Sequence, residues 1–173
     1  MKRVLVHFIL IIICFIIQST LLRGIQLGPV VPNLVLMIVS CFGFMRGKRE
    51  GLLVGFFSGL LLDVFYGGGI LGAYALIYMM VGYMNGFFNR IFYPEDIKLP
   101  IFFVGFSGII YSSVIYVFMF LLRRRFDVFA YVKQVAIPEI VYTVLATLVL
   151  YRPVLYINSL LEEDERKTEV IFS

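Results

Sequence analysis

Few side chains in this sequence have both the type and the setting for chemistry, and the two that stand out are carboxylates. Asp63 and Glu139 each sit inside a long apolar run. A carboxylate at the centre of a membrane helix costs roughly 2.5 to 3.5 kcal/mol even on the gentlest scale, so both must face a bundle interior, water or a partner. A basic neighbour or a neutral, protonated state would relieve that cost. Glu139, Thr143 and Thr147 form a mildly polar stripe at helical spacing. The single histidine, His7, has no Ser, Cys or carboxylate near it in sequence, and it reads as structural. Cys14 and Cys41 lie in apolar runs without CxxC spacing, as buried thiols do. No GxSxG, HExxH or GxxxxGK pattern is present. The residues therefore offer no catalytic set, no cofactor site and no metal site, and the chain reads as a non-enzyme.

The other unusual feature is glycine. Gly43, Gly47, Gly51, Gly55 and Gly59 recur every fourth residue, Asp63 follows at the same step, and Gly82 and Gly86 repeat the device. Small residues at this spacing bring helix backbones close together, and such packing drives association in lipid. Gly51, Gly55, Gly59, Asp63, Gly72, Gly82 and Gly86 are the candidate contact face, either within the chain's own bundle or against a partner.

These residues are carried by a chain that needs lipid as its solvent. Its 173 residues are 61% hydrophobic and 15% charged, with a mean hydropathy of +0.98, more apolar surface than a soluble domain of this size can bury. Six apolar segments approach the roughly 20 residues a spanning helix requires: Val4 to Leu22, Val30 to Met45, Gly51 to Phe65, Ile70 to Phe88, Leu99 to Leu122 and Gln134 to Tyr151. Turn residues and charges mark every boundary, among them Gly28-Pro29, Arg46 to Glu50, Gly67 to Gly69, Arg123 to Arg125 and Arg152-Pro153. Lys2-Arg3 and the run behind them imitate a signal peptide, but no small-x-small cleavage site follows, so this segment reads as a retained first helix.

The net charge of +4 falls mostly between the apolar runs, which makes it a topology signal and argues against nucleic acid as a partner. With six spans, Lys2, Arg3, Arg46, Lys48, Arg49, Arg90, Lys98, Arg152, Arg166 and Lys167 share one side. Arg23, Arg123, Arg124, Arg125 and Lys133 share the other. Ten against five places both termini in the cytoplasm. Asp63 and Glu139 then fall in the outer half of the bilayer, within reach of the outer cations. Residues 1–157 form the transmembrane domain and 158–173 a short polar cytoplasmic tail. Arg46, Lys48, Arg49 and Arg90 are the candidate cytoplasmic contacts, and anionic headgroups of membrane lipids would satisfy the same cations.

Pro32-Asn33 opening the second span, the stripe Gly51, Gly55, Gly59-Leu60-Leu61-Leu62-Asp63, then Gly68 or Gly69, Leu71-Gly72 and Gly82-Tyr83 together resemble the MreD family of rod-shape-determining proteins. The resemblance implies an all-α integral membrane protein of the bacterial inner membrane. Its fold would be a bundle of about six transmembrane helices, similar to the substrate-binding components of energy-coupling-factor transporters. It further implies a scaffold without enzymatic activity in the cell-elongation machinery, acting with MreC and, beyond it, MreB, RodA and a class B penicillin-binding protein in peptidoglycan synthesis. The alternative is a solute-binding component of a vitamin transporter. That reading requires an outward cavity with convergent polar groups, for which the short outer loops and two intramembrane carboxylates give little material.

The charge count yields a first prediction. Reporter fusions at Glu50, Glu95 and Ser173 should signal from the cytoplasm and fusions after Gly68 and Phe126 from the exterior; an exterior signal at Ser173 would exclude an even number of spans.

Overall fold

In the computed structural model, residues 2–21, 24, 30–66, 72–89, 98–123 and 128–172 are described, and every element among them is helical. Helix α1 runs over Lys2–Ile16 and ends in a π-helical turn, Ile17–Leu21. Helices α2 (Leu34–Arg46), α3 (Lys48–Tyr66), α4 (Ala73–Gly86) and α5 (Lys98–Arg123) follow. The chain then forms a short helix α6 (Val128–Tyr131), a π turn (Val132–Ala136) and the long helix α7 (Ile137–Phe172).

Helix α2 is the axis of the bundle. All of its residues from Leu34 to Met45 are buried, and it touches α1, α3, α4, α5 and α7. A helix apolar around its whole circumference belongs in such a position. Its thirteen residues cover only about 20 Å, short of a hydrocarbon core of about 30 Å. Pro32 before it and Gly47 behind it set that length. Gly47 has a φ of 91° and is the sole residue between α2 and α3, so the chain reverses at a single left-handed position.

The six apolar segments expected from the sequence meet the structure with several of their boundaries moved. Among the described residues, two helices are both long and apolar enough to cross a bilayer by themselves, Lys98–Phe118 and Val128–Asp164. Leu5–Thr20 and Leu34–Arg46 are apolar but shorter. The segment Arg46 to Glu50, expected as a loop, is instead the end of α2 and the first turn of α3, because Gly47 alone makes the reversal. Gly67 to Gly69 and Leu71 lie outside the described residues. At the other end, Arg152-Pro153 does not stop α7, and the helix continues through residue 157 into the polar stretch. Pro153 removes one helical hydrogen bond, but helix resumes on both sides of it. A second proline, Pro138, lies just after the π turn at Val132–Ala136, where the widened backbone gives its ring room against the carbonyl four residues back. The side chains of Arg166 and Lys167 lie outside the described set.

Helices α3 and α4 pack antiparallel along the glycines. A methyl group added at Gly51 would overlap the carbonyl of Gly82, one at Gly55 the carbonyl of Tyr78, one at Gly59 the backbone of Tyr74 and Ala75, and one at Gly86 the backbone of Lys48. The contacts step by four along both helices in opposite directions, so the backbones touch through the whole length of the seam. No side chain larger than hydrogen fits at these positions without separating the helices.

This geometry sets the cost of enlarging the seam. Gly55→Ala should destabilise the protein by about 1–3 kcal/mol in equilibrium unfolding from micelles, and Gly55→Leu should abolish accumulation. Gly105→Ala, whose methyl would meet only Val144 Cγ2 at 3.5 Å, should remain close to wild type.

Candidate functional site

The first turn of a helix carries backbone N–H groups without helical partners, and in lipid no water serves them. Two such helix starts, those of α2 and α4, lie at one end of this bundle, and polar side chains from four helices converge on them. At α2, the Asn33 side chain accepts from the Leu36 N–H at 3.0 Å, Gln18 from the π turn of α1 accepts from the Val35 N–H at 3.1 Å, and Thr143 Oγ1 of α7 accepts from the Asn33 N–H at 2.9 Å. At α4, Asp63 plays the same part from α3. Its Oδ1 accepts from the Tyr74 N–H at 3.0 Å and its Oδ2 from the Ala75 N–H at 2.9 Å. The Asp63 side chain is almost wholly enclosed, at 2% exposure.

The sequence suggested a basic neighbour or a neutral state for Asp63. The structure supplies a third arrangement, in which the two carboxyl oxygens accept from two backbone donors at the positive end of a helix dipole. Asp63 is one four-residue step beyond Gly59, so it comes at the point where the seam runs out and the start of α4 is exposed to it. Gly72, with a φ of 101°, provides the left-handed residue that opens α4.

Asn33 ties the two helix starts together. Its Oδ1 also accepts from the Tyr78 hydroxyl at 2.9 Å, and the Tyr111 ring packs edge-on against that of Tyr78 with centroids 5.5 Å apart. Its Nδ2 donates a long bond, 3.4 Å, to Glu139 Oε1. Among the described residues Asn33 is the hydrogen-bond donor to that carboxylate. Of the expected outer cations, Lys133 is exposed, and the side chains of Arg123, Arg124 and Arg125 lie outside the described set. Asn33, Glu139, Tyr66, Tyr74, Tyr78 and Tyr111 surround a cavity of 320 Å³. A second cavity, of 390 Å³, lies between α5 and the α6–α7 rod, lined mainly by aliphatic side chains and by no charged group.

The glycines expected as a contact face are therefore in close contact inside the chain: Gly51, Gly55 and Gly59 against α4, Gly82 and Gly86 against the first half of α3 and its approach. Of the cations at the opposite end, Arg46 donates to Asn158 Oδ1 of α7 at 2.6 Å and to its carbonyl at 3.3 Å. Lys48 sits 3.5 Å over the Phe87 ring, Arg49 is exposed, and Arg90 lies outside the described residues. Asn89 closes this end by donating to the Phe44 and Met45 carbonyls at 2.9 and 2.7 Å, satisfying the end of α2. Sequence reasoning missed Asn158, which is buried, and it missed the tyrosine-lined cavity, whose members are scattered over four helices.

A comparison with protein families matches residues 1–160 to the model described as rod shape-determining protein MreD. No curated protein and no solved structure matches.

The cap at α4 gives the next prediction. Asp63→Ala leaves two buried N–H groups without acceptors and should cost about 1–3 kcal/mol, with faster hydrogen exchange at the Tyr74 and Ala75 amides. Asp63→Asn keeps one acceptor oxygen and should lose about half as much; unchanged exchange in Asp63→Ala would show that the cap carries no stability.

Proposed function

The chain belongs to the family of the rod shape-determining protein MreD, which gives it a role in determining rod shape, and from that premise we propose that it is a non-enzymatic scaffold of the bacterial cell-elongation machinery. It resides in the cytoplasmic membrane as a multi-pass bundle with six crossings and both termini in the cytoplasm. Its partner in the membrane is MreC, and through MreC it links the MreB cytoskeleton to RodA, a class B penicillin-binding protein and peptidoglycan synthesis. The observation that carries this reading is the family match, which extends over nearly the whole chain.

The geometry favours a scaffold by what it leaves available. The glycine seam is filled by α3 and α4, so the close-contact face serves the chain's own rigidity. The outer faces of α1 and α3 instead expose Phe8, Ile12, Phe56, Phe57, Val64 and Phe65 to whatever surrounds the bundle. An apolar surface of this kind accepts lipid chains or the single membrane helix of a bitopic partner. On the cytoplasmic side the exposed Arg49 is the cation best placed for a filament or for anionic headgroups, since Arg46 and Lys48 are engaged within the chain.

Co-purification tests the reading directly. The tagged chain should recover MreC from detergent-solubilised rod-shaped cells, and its depletion should round the cells. Recovery of an ATPase module in place of MreC would transfer the chain to the transporter class.

A further inference from the structure

The cavity bounded by Asn33, Glu139 and four tyrosines has a particular balance of donors and acceptors. The Asn33 Oδ1 is saturated by Leu36 N–H and the Tyr78 hydroxyl. The Tyr78 proton is committed to Asn33. Thr143 donates to the Glu139 carbonyl at 2.7 Å and accepts from the Asn33 N–H, which uses its hydroxyl in both directions. The Gln18 oxygen is occupied by Val35 N–H. Toward the cavity Glu139 keeps acceptor capacity: its carboxylate receives one long bond from Asn33 and can accept several more.

A half-buried carboxylate short of donors calls for a ligand that brings N–H groups, and preferably charge, since such bonds are the strong ones. The walls agree. The rings of Tyr66, Tyr74, Tyr78 and Tyr111 line the same space, and aromatic faces attract cations, most strongly where water is excluded. A carboxylate that shares a lining with aromatic residues favours an ammonium group over an anion or a neutral hydroxyl compound. The volume of 320 Å³ admits a small organic amine or the headgroup of an aminophospholipid, and excludes a folded segment of protein.

We propose that this cavity is a binding site for a primary ammonium group, with Glu139 as its counter-ion and Tyr74 and Tyr66 as aromatic walls. The ammonium is carried either by a free amine or by the headgroup of phosphatidylethanolamine. The site requires no partner protein, so it stands or falls separately from the scaffold reading.

The full chain, purified into nanodiscs of phosphatidylglycerol, provides the test. 2-Phenylethylamine should raise the thermal unfolding midpoint in a saturable manner, and the neutral isostere 2-phenylethanol should not. Glu139→Gln should weaken the amine by at least about tenfold, the usual scale for removing one partner of an enclosed charge pair. Tyr74→Leu, which keeps the carboxylate and the backbone bond to Asp63, should weaken it several-fold. Including phosphatidylethanolamine in the nanodisc distinguishes the sources: competition with the amine identifies the lipid headgroup as the occupant, and no competition identifies a free amine. Equal shifts from amine and alcohol in the wild-type chain would overturn the proposal, as would amine binding unchanged in Tyr74→Leu and Glu139→Gln. If Glu139→Gln does not fold, the amine-to-alcohol contrast and Tyr74→Leu decide.

Discussion

A short helix sealed inside a membrane protein must have its end groups satisfied by other parts of the protein, and that requirement organises the whole bundle. Helix α2 is buried from Leu34 to Met45, and its length of about 20 Å falls short of a hydrocarbon core of about 30 Å. Its first amides are met by Asn33, by Gln18 of α1 and by Thr143 of α7; its last carbonyls are met by Asn89, beyond the end of α4. The bonds from Gln18, Thr143 and Asn89 each come from a different element, so they fix where those elements stand around the axis. Apolar packing alone would not do this in lipid, where hydrocarbon outside the protein is as good a solvent as hydrocarbon within it.

The α3–α4 pair follows the same economy. Backbone contact through Gly51, Gly55, Gly59, Gly82 and Gly86 leaves no space for side chains between the two helices, and the orphan amides at the start of α4 then fall to Asp63. Packing and capping are a single device: the four-residue step that sets the glycines in contact also delivers the carboxylate. Asp63 looks like an isolated charge in an apolar run, yet it is the last member of the seam.

Much of this could be read from residue types and spacing. The glycine repeat announced close helix contact because the property required, absence of a side chain, is visible in the sequence itself. So was the membrane class, from hydropathy. The partner of Asp63 was not legible, because backbone amides belong to every residue and leave no mark of their own. Asn33 and its partners in α7 are over a hundred positions apart and meet only once the bundle closes. Two boundaries were misread, at Gly47 and at Pro153, for opposite reasons. A single glycine at positive φ turned the chain where a five-residue loop was expected, and tertiary contacts such as Arg46 with Asn158 hold helix beyond a proline that reads as a stop.

The continuity of α7 gives the molecule a mechanical property. Glu139, beside the cavity, and Asn158, fastened to Arg46, are carried on one rod about 28 Å apart. Pivoting on the Arg46 fastening, a tilt of only about 5° would displace the carboxylate by about 2.5 Å, comparable to the length of a hydrogen bond. Pro153 places the weakened turn near that pivot, where flexure is most amplified at the far end. One unbroken helix thus carries both a carboxylate that lines the space at one end of the bundle and an amide that fastens the other, with no loop between them.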